Sequence, residues 1–185
     1  MAKKNTPDQA HDASRKPAPD PAPTEAPNQG QEHQVLIRTI YTKDLSYEAP
    51  NVPEIFRAEW KPEVALQFDI KVNPLVEDTY EVVLTLTVTV KVGEKNAYLV
   101  ELQQAGILSV KGFKEEELAP LFYVYAPSVL FPYARQTVTD LVAKGGFPHL
   151  VLQHIHFDQV YAQKVAEQQA AQHAGQQSAA GGKPH

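Results

Sequence analysis

The sequence contains no cysteine. That absence removes disulfides, thiolate nucleophiles and cysteine-ligated zinc together. No stretch approaches the roughly 18–20 consecutive apolar residues that a bilayer-spanning helix needs, so direct membrane insertion is not expected. Lys3 and Lys4 are followed by no apolar run, which predicts a chain without a secretory signal and a cytoplasmic location. Serines are scattered, and the sequence holds no Gly-x-Ser-x-Gly elbow, P-loop or Gly-x-Gly-x-x-Gly fingerprint. Neither an enzyme nor a cofactor is therefore expected. The formal charge is −5. A nucleic-acid partner would need a basic stripe for the phosphates, and the balance argues against one.

Large apolar residues are also scarce at both ends. Residues 1–32 include "KPAPDPAPTEAPNQG", where proline alternates with alanine and polar groups. Such a segment has too little apolar surface to offset its ordering entropy, which predicts a disordered, proline-rich extension. Residues 167–185, "EQQAAQHAGQQSAAGGKPH", are equally poor in core material, and a disordered Gln/Ala/Gly-rich tail is expected there. One folded unit is then predicted over residues 33–166.

Within that unit the strongest signal is alternation. In "YEVVLTLTVTVKV" the even positions Tyr80, Val82, Leu84, Leu86, Val88, Val90 and Val92 are apolar, and the odd ones mostly threonine or charged. This is the pattern of a half-buried antiparallel strand. "GEKN" supplies a turn, and Tyr98, Val100 and Leu102 resume one apolar face with Leu99 and Glu101 opposite, which predicts a long hairpin. Gly106 and Gly112 mark where the second strand bends, bulges or ends. "VALQFDIKV" sets Val64, Leu66, Phe68, Ile70 and Val72 on one side. "VLIRTIYTKDLSYE" is mixed: Val35, Ile37, Tyr41, Leu45 and Tyr47 share one parity, and Leu36, Ile40, Asp44 and Glu48 the other. Apolar residues among charges on its outer side fit either contact with another chain or a strand end covering the sheet.

Between the first two strands lies "SYEAPNVPEIFRAEWKPEV", where Pro50, Pro53 and Pro62 fence in Ile55, Phe56 and Trp60. Connections are ordinarily polar, so this apolar load needs a reason. After the sheet the period turns helical. "KEEELAPLFYVY" opens on three glutamates, favourable at a helix N-terminus, and Pro120 keeps it short or kinked. "PSVLFPYARQTVTDLVAKGG" predicts a longer helix, with Pro132 in its first turn, a stripe of Tyr133, Ala134, Val138, Leu141 and Val142, and a glycine stop. A short third helix begins at Asp158 and frays after Val165. Strands first and helices later give an α+β fold: a four-stranded antiparallel sheet, a long crossover loop after strand 1, and C-terminal helices packed on one face.

Two constellations are weighed for chemistry. His149, His154 and His156 lie in "FPHLVLQHIHF"; a His-x-His pair can share one face and hold a metal. No cysteine or spaced carboxylate apart from Asp158 completes a site, so surface histidines are the default and no metal is expected. Asp44 and Glu48 project from one strand to the side that Leu99 and Glu101 share, opposite the helices. A solvated outer sheet explains them by default; an exposed leucine beside charges instead resembles a docking surface.

"IYTKDLSYEAPNVP", "YEVVLTLTVTV", "VELQQAGILSVKG" and "LFPYARQTVTDLVAKGGFPHLVLQHIHFDQVY" are together similar, in order and spacing, to SecB, the bacterial protein-export chaperone family. The resemblance runs from about Val35 to about Gln163. It implies an ATP-independent cytoplasmic holdase that binds unfolded precursor proteins, keeps them translocation-competent and passes them to the SecA motor, a translocation ATPase. It implies a homotetramer, a dimer of dimers. It assigns SecA binding to Asp44, Glu48, Leu99 and Glu101, and client binding to a groove lined by Ile55, Phe56, Trp60, Val64, Leu66 and Phe68, with Phe68 the one most expected in the core. The longer head and the tail depart from the family pattern. Other readings are an adaptor module that binds one folded partner through its acidic sheet, and a small-molecule or lipid binder using the groove.

Overall fold

A computed structural model describes residues 33–180, with side chains to residue 171. The extension expected over residues 1–32 and the last part of the tail, residues 181–185, lie outside the described residues. Four strands, β1 (Gln34–Glu48), β2 (Pro62–Val76), β3 (Thr79–Val92) and β4 (Lys95–Lys111), form one antiparallel sheet in the order β1-β4-β3-β2. The alternation of β3 has the expected result: Val82, Leu84, Leu86, Val88 and Val90 are fully buried on the helix side. The hairpin partners of β4 face the same way, with Leu86 opposite Leu102 and Val88 opposite Val100.

The middle of β1 departs from simple parity. Register shifts between Ile37 and Thr39, and again between Thr42 and Asp44, mark two β-bulges. Each inserts one unpaired residue and flips the facing of every later residue in the strand. Ile40 therefore pairs with Gly106 and packs against the core, where an outward position was expected. Tyr41 pairs with Ala105 and lies on the open face instead of the inner one. Gly106 is no bend: a Cβ there would stand 3.0 Å from Leu130 Cδ2, so its role is to let a helix approach the sheet closely.

The helical half starts at α1 (Glu115–Pro120), passes through a wide π-type segment over Leu121–Tyr125, and continues as α2 (Ala126–Lys144). Pro120 clashes with a regular turn, and the ladder widens behind it so that Ala126 N–H donates to Leu121 C=O. The missing N–H of Pro120 is thus followed by a widened turn and not by a break. Pro132, expected in a first turn, sits inside α2. Leu130, Phe131, Ala134, Val138 and Val142 form the buried stripe, and Tyr133, expected on it, is 54% exposed. At the end of α2 a Cβ on Gly145 would lie 1.9 Å from the Tyr47 hydroxyl, so only glycine fits above that ring.

The last helix, α3, spans Phe157–Ala180. It is longer than the short, fraying helix expected, and the boundary expected at residue 166 falls inside it. Alanine and glutamine are good helix formers even where they have no core to join. Among the described residues no helix is long and apolar enough to cross a membrane.

Candidate functional site

Two surfaces on opposite sides of the sheet carry the candidate binding residues. On the open face, cross-strand pairing draws the acidic set together. Glu48 stands opposite Leu99, Ser46 opposite Glu101, and Asp44 opposite Gln103. Paired residues share a face, so Asp44, Glu48, Leu99 and Glu101 form one patch across β1 and β4. The three carboxylates are exposed and Leu99 is partly covered. Among the described residues none of the three carboxylates forms an ion pair. The second bulge is what aims Asp44 and Glu48 outward together; sequence parity found their shared side but not the bulge beneath it.

Further along the same face lies a carboxylate of another kind. Glu81 is only 7% exposed. Its oxygens accept from Lys43 Nζ at 2.9 and 2.7 Å and from Asn73 Nδ2 at 2.8 Å, and the Tyr41 hydroxyl donates to it as well. The Lys43 ammonium, with the Tyr41 hydroxyl, holds the Glu81 carboxyl down at about 2. The same bond to Glu81 pushes Tyr41 up to about 12.

On the helix side, β2 is an edge strand whose apolar side is incompletely covered. Val64 is 47% exposed; Leu66, Phe68, Ile70 and Val72 are half-buried. The crossover loop lies at one end of this strip. A short 3-10 turn over Glu54–Arg57 drives Ile55 into the core at 3% exposure, while Phe56 stays 51% exposed. Asn51 Nδ2 donates to Asn96 C=O at 2.9 Å and ties the loop to the start of β4.

Phe147 is the hub that sequence reading missed. Its ring centroid lies 4.9 Å from Phe56, 5.6 Å from Trp60 and 4.8 Å from Tyr98. The "GGFP" stretch was the available signal, since a phenylalanine directly after a glycine helix stop is set to fold back on the core. Burial pushes the Tyr98 hydroxyl up to about 12, with nearby Tyr47 adding to the shift. Trp60, Val64, Tyr98, Pro148 and Leu150 line a shallow recess at this end. A second, shallow recess at the other end is lined by Phe68, Ile70, Tyr123, Phe157 and Tyr161. Phe68 meets Phe157 edge-on at 5.5 Å, so it is part core and part wall. Of the six expected groove residues Ile55 is fully committed to the core, and the other five retain surface on or beside the strip.

His154 and His156 stand with ring centroids 5.0 Å apart, in a segment without regular structure. Among the described residues no group of three or more His, Cys, Asp or Glu is placed to hold an ion.

Comparison with known proteins shows the family. A family model described as preprotein translocase subunit SecB matches residues 28–168. A protein-export protein SecB from Methylococcus capsulatus is 50% identical over 145 residues, covering 77% of this chain and 94% of the relative. One from Nitrosococcus oceani is 51% identical over 145 residues, covering 77% and 88%. Among solved structures, a SecB-like chaperone from Mycobacterium tuberculosis, in complex with a ChAD peptide from an antitoxin, aligns with a TM-score of 0.57 at 19% identity. That alignment covers 65% of this chain and 90% of the other, and shows a shared fold.

Proposed function

The chain belongs to the SecB family of preprotein translocase subunits, and from that premise we propose that it is a protein-export chaperone working as an ATP-independent holdase. It binds unfolded precursor proteins along the apolar strip of β2, keeps them translocation-competent, and delivers them to SecA through the open, acidic sheet face. The observation that carries this reading is the incompletely covered apolar side of β2, with an aromatic recess at each end.

A holdase must read apolar side chains and extended backbone, since its clients share no sequence. Each Phe, Leu or Val that a client buries contributes about 1.5–3 kcal/mol before ordering costs. The two recesses take bulky side chains, and the strip between them takes an extended segment. The related chaperone's complex with a peptide supports that kind of occupant. Pro50 and Pro53 lie in the turn that leads into the 3-10 segment and cannot donate to a strand ladder, so the crossover stays out of the sheet and Phe56 and Trp60 remain a rim instead of becoming a strand that fills the site. In a homotetramer several such strips engage one flexible client, and effective concentration turns weak contacts into firm holding. Folded proteins escape because their apolar segments are already buried.

Light-scattering mass, measured with and without an unfolded precursor, tests this directly. The expected result is four copies of the 20.5 kDa chain and a stable complex with the precursor, accompanied by a change in Trp60 emission. A monomer that ignores unfolded chains would overturn the reading. Binding to the native form of the same precursor would favour the adaptor alternative.

A further inference from the structure

The open face contains a lysine directly beside its exposed carboxylates, and the fold ties it to a buried one. Lys43 is the unpaired residue of the second bulge, directly before Asp44. A one-residue insertion flips every later side chain. Without it, Lys43, Leu45 and Tyr47 would continue the outward row, and Asp44 and Glu48 would point at the helices. With it, the carboxylates turn outward and the lysine remains on the same side as an added cation. Left free, it would neutralise the patch it helps to create.

It is not free. The side chains of Tyr41 and Lys43 reach from β1 across β4 to a single carboxylate on β3, that of Glu81. Asn73 on β2 donates to the same carboxylate from the far side, so side chains from both outer strands converge on one group. Glu81 remains ionised across the whole physiological range, because these bonds hold its carboxyl at about 2.

We propose that Glu81 is a positioning residue for the acidic docking face: by holding Lys43 it fixes the bulge that aims Asp44 and Glu48 outward and keeps that ammonium away from the patch. This rests on the reading that the patch receives SecA. The residue itself touches neither SecA nor client.

The test compares Glu81→Gln with the double variant Lys43→Met plus Glu81→Gln, using purified SecA and an unfolded precursor. Glu81→Gln keeps the size of the side chain and one accepting oxygen but removes the charge, which frees the lysine. SecA binding should weaken about three- to tenfold at low salt, with the deficit shrinking as salt rises, and client binding should stay within about twofold. Removing Lys43 as well should restore SecA binding to within about twofold of the parent. A role limited to fold stability predicts no such rescue, because the double variant lacks the same ionic bonds. Unchanged SecA affinity in Glu81→Gln, or an equal loss in the double variant, would overturn the inference. If Glu81→Gln fails to fold, Lys43→Met alone serves: binding like the parent supports a sequestered charge, and tightening by about fivefold or more refutes it. Glu101→Lys runs alongside; should it retain full SecA affinity, the docking reading itself fails, and the inference with it.

Discussion

The two ends of the open sheet face carry carboxylates with opposite fates. At one end Asp44, Glu48 and Glu101 are exposed, with no ion pair among the described residues. At the other, Glu81 is buried beneath Lys43 and bonded by Tyr41 and Asn73. The contrast separates two uses of the same functional group. A carboxylate satisfied inside the chain fixes geometry and is costly to disturb. One left open adds little to the fold and keeps its charge for an approaching partner.

The largest effect is expected at the closed end and in stability. Glu81 has its folded value lowered from the ordinary 4.5 to about 2. Its contribution is therefore fully present above about pH 4.5 and is lost as pH falls through about 2. The span corresponds to about 3 kcal/mol. Urea midpoints taken between pH 7 and pH 2.5 should fall more steeply with acid in the parent than in Glu81→Gln, which has nothing to protonate there. Parallel curves would break the comparison, because they would make Glu81 as dispensable as a surface carboxylate.

At the open end the expected loss is in binding alone. Glu101→Lys reverses a charge between Ser46 and Thr87 on an exposed row. SecA affinity should drop about tenfold or more, equivalent to about 1.4 kcal/mol, while thermal stability changes by no more than about 0.5 kcal/mol, as for ordinary surface substitutions. Client affinity, proposed for the other side of the sheet, should not move. Equal loss of SecA and client binding would point to an assembly defect and remove the distinction between the faces.

How far the sequence carried these conclusions varied with the element. β3 was legible because every even position from Tyr80 to Val92 is apolar, and packing of that face against the helices accounts for it. β1 was half legible: counting by twos works only until a residue is inserted, and the unpaired positions at the bulges moved Ile40 inward and Tyr41 outward. The reach of α3 was missed because Gln and Ala were weighed for core burial and not for helix propensity. The acidic patch was visible as parity, but its reading as a docking surface came from family resemblance. Glu81 drew no notice at all. In sequence it is one more charged residue on the polar side of a strand, and its partners Tyr41, Lys43 and Asn73 come from strands that only the sheet order brings together. Phe147 was hidden for the same reason, since Phe56, Trp60 and Tyr98 meet it only after folding.

The smallest expected effect lies where the two ends meet. Asp44 is exposed like Glu101, yet it comes directly after the bulge that the closed end secures. If the two ends are distinct in kind, Asp44→Asn behaves as an open-end change despite that neighbour. It removes one unpaired charge, weakens SecA binding about twofold, lowers the salt sensitivity of binding, and leaves the acid-unfolding profile of Glu81 untouched. If the ends instead form one continuous network, neutralising Asp44 lets Lys43 redistribute, and the steep acid dependence assigned to Glu81 shifts with it. Titrating urea stability of Asp44→Asn against the parent distinguishes these outcomes. A superimposable pH profile with weaker SecA binding upholds a boundary between Lys43 and Asp44; a displaced profile moves that boundary into the patch itself.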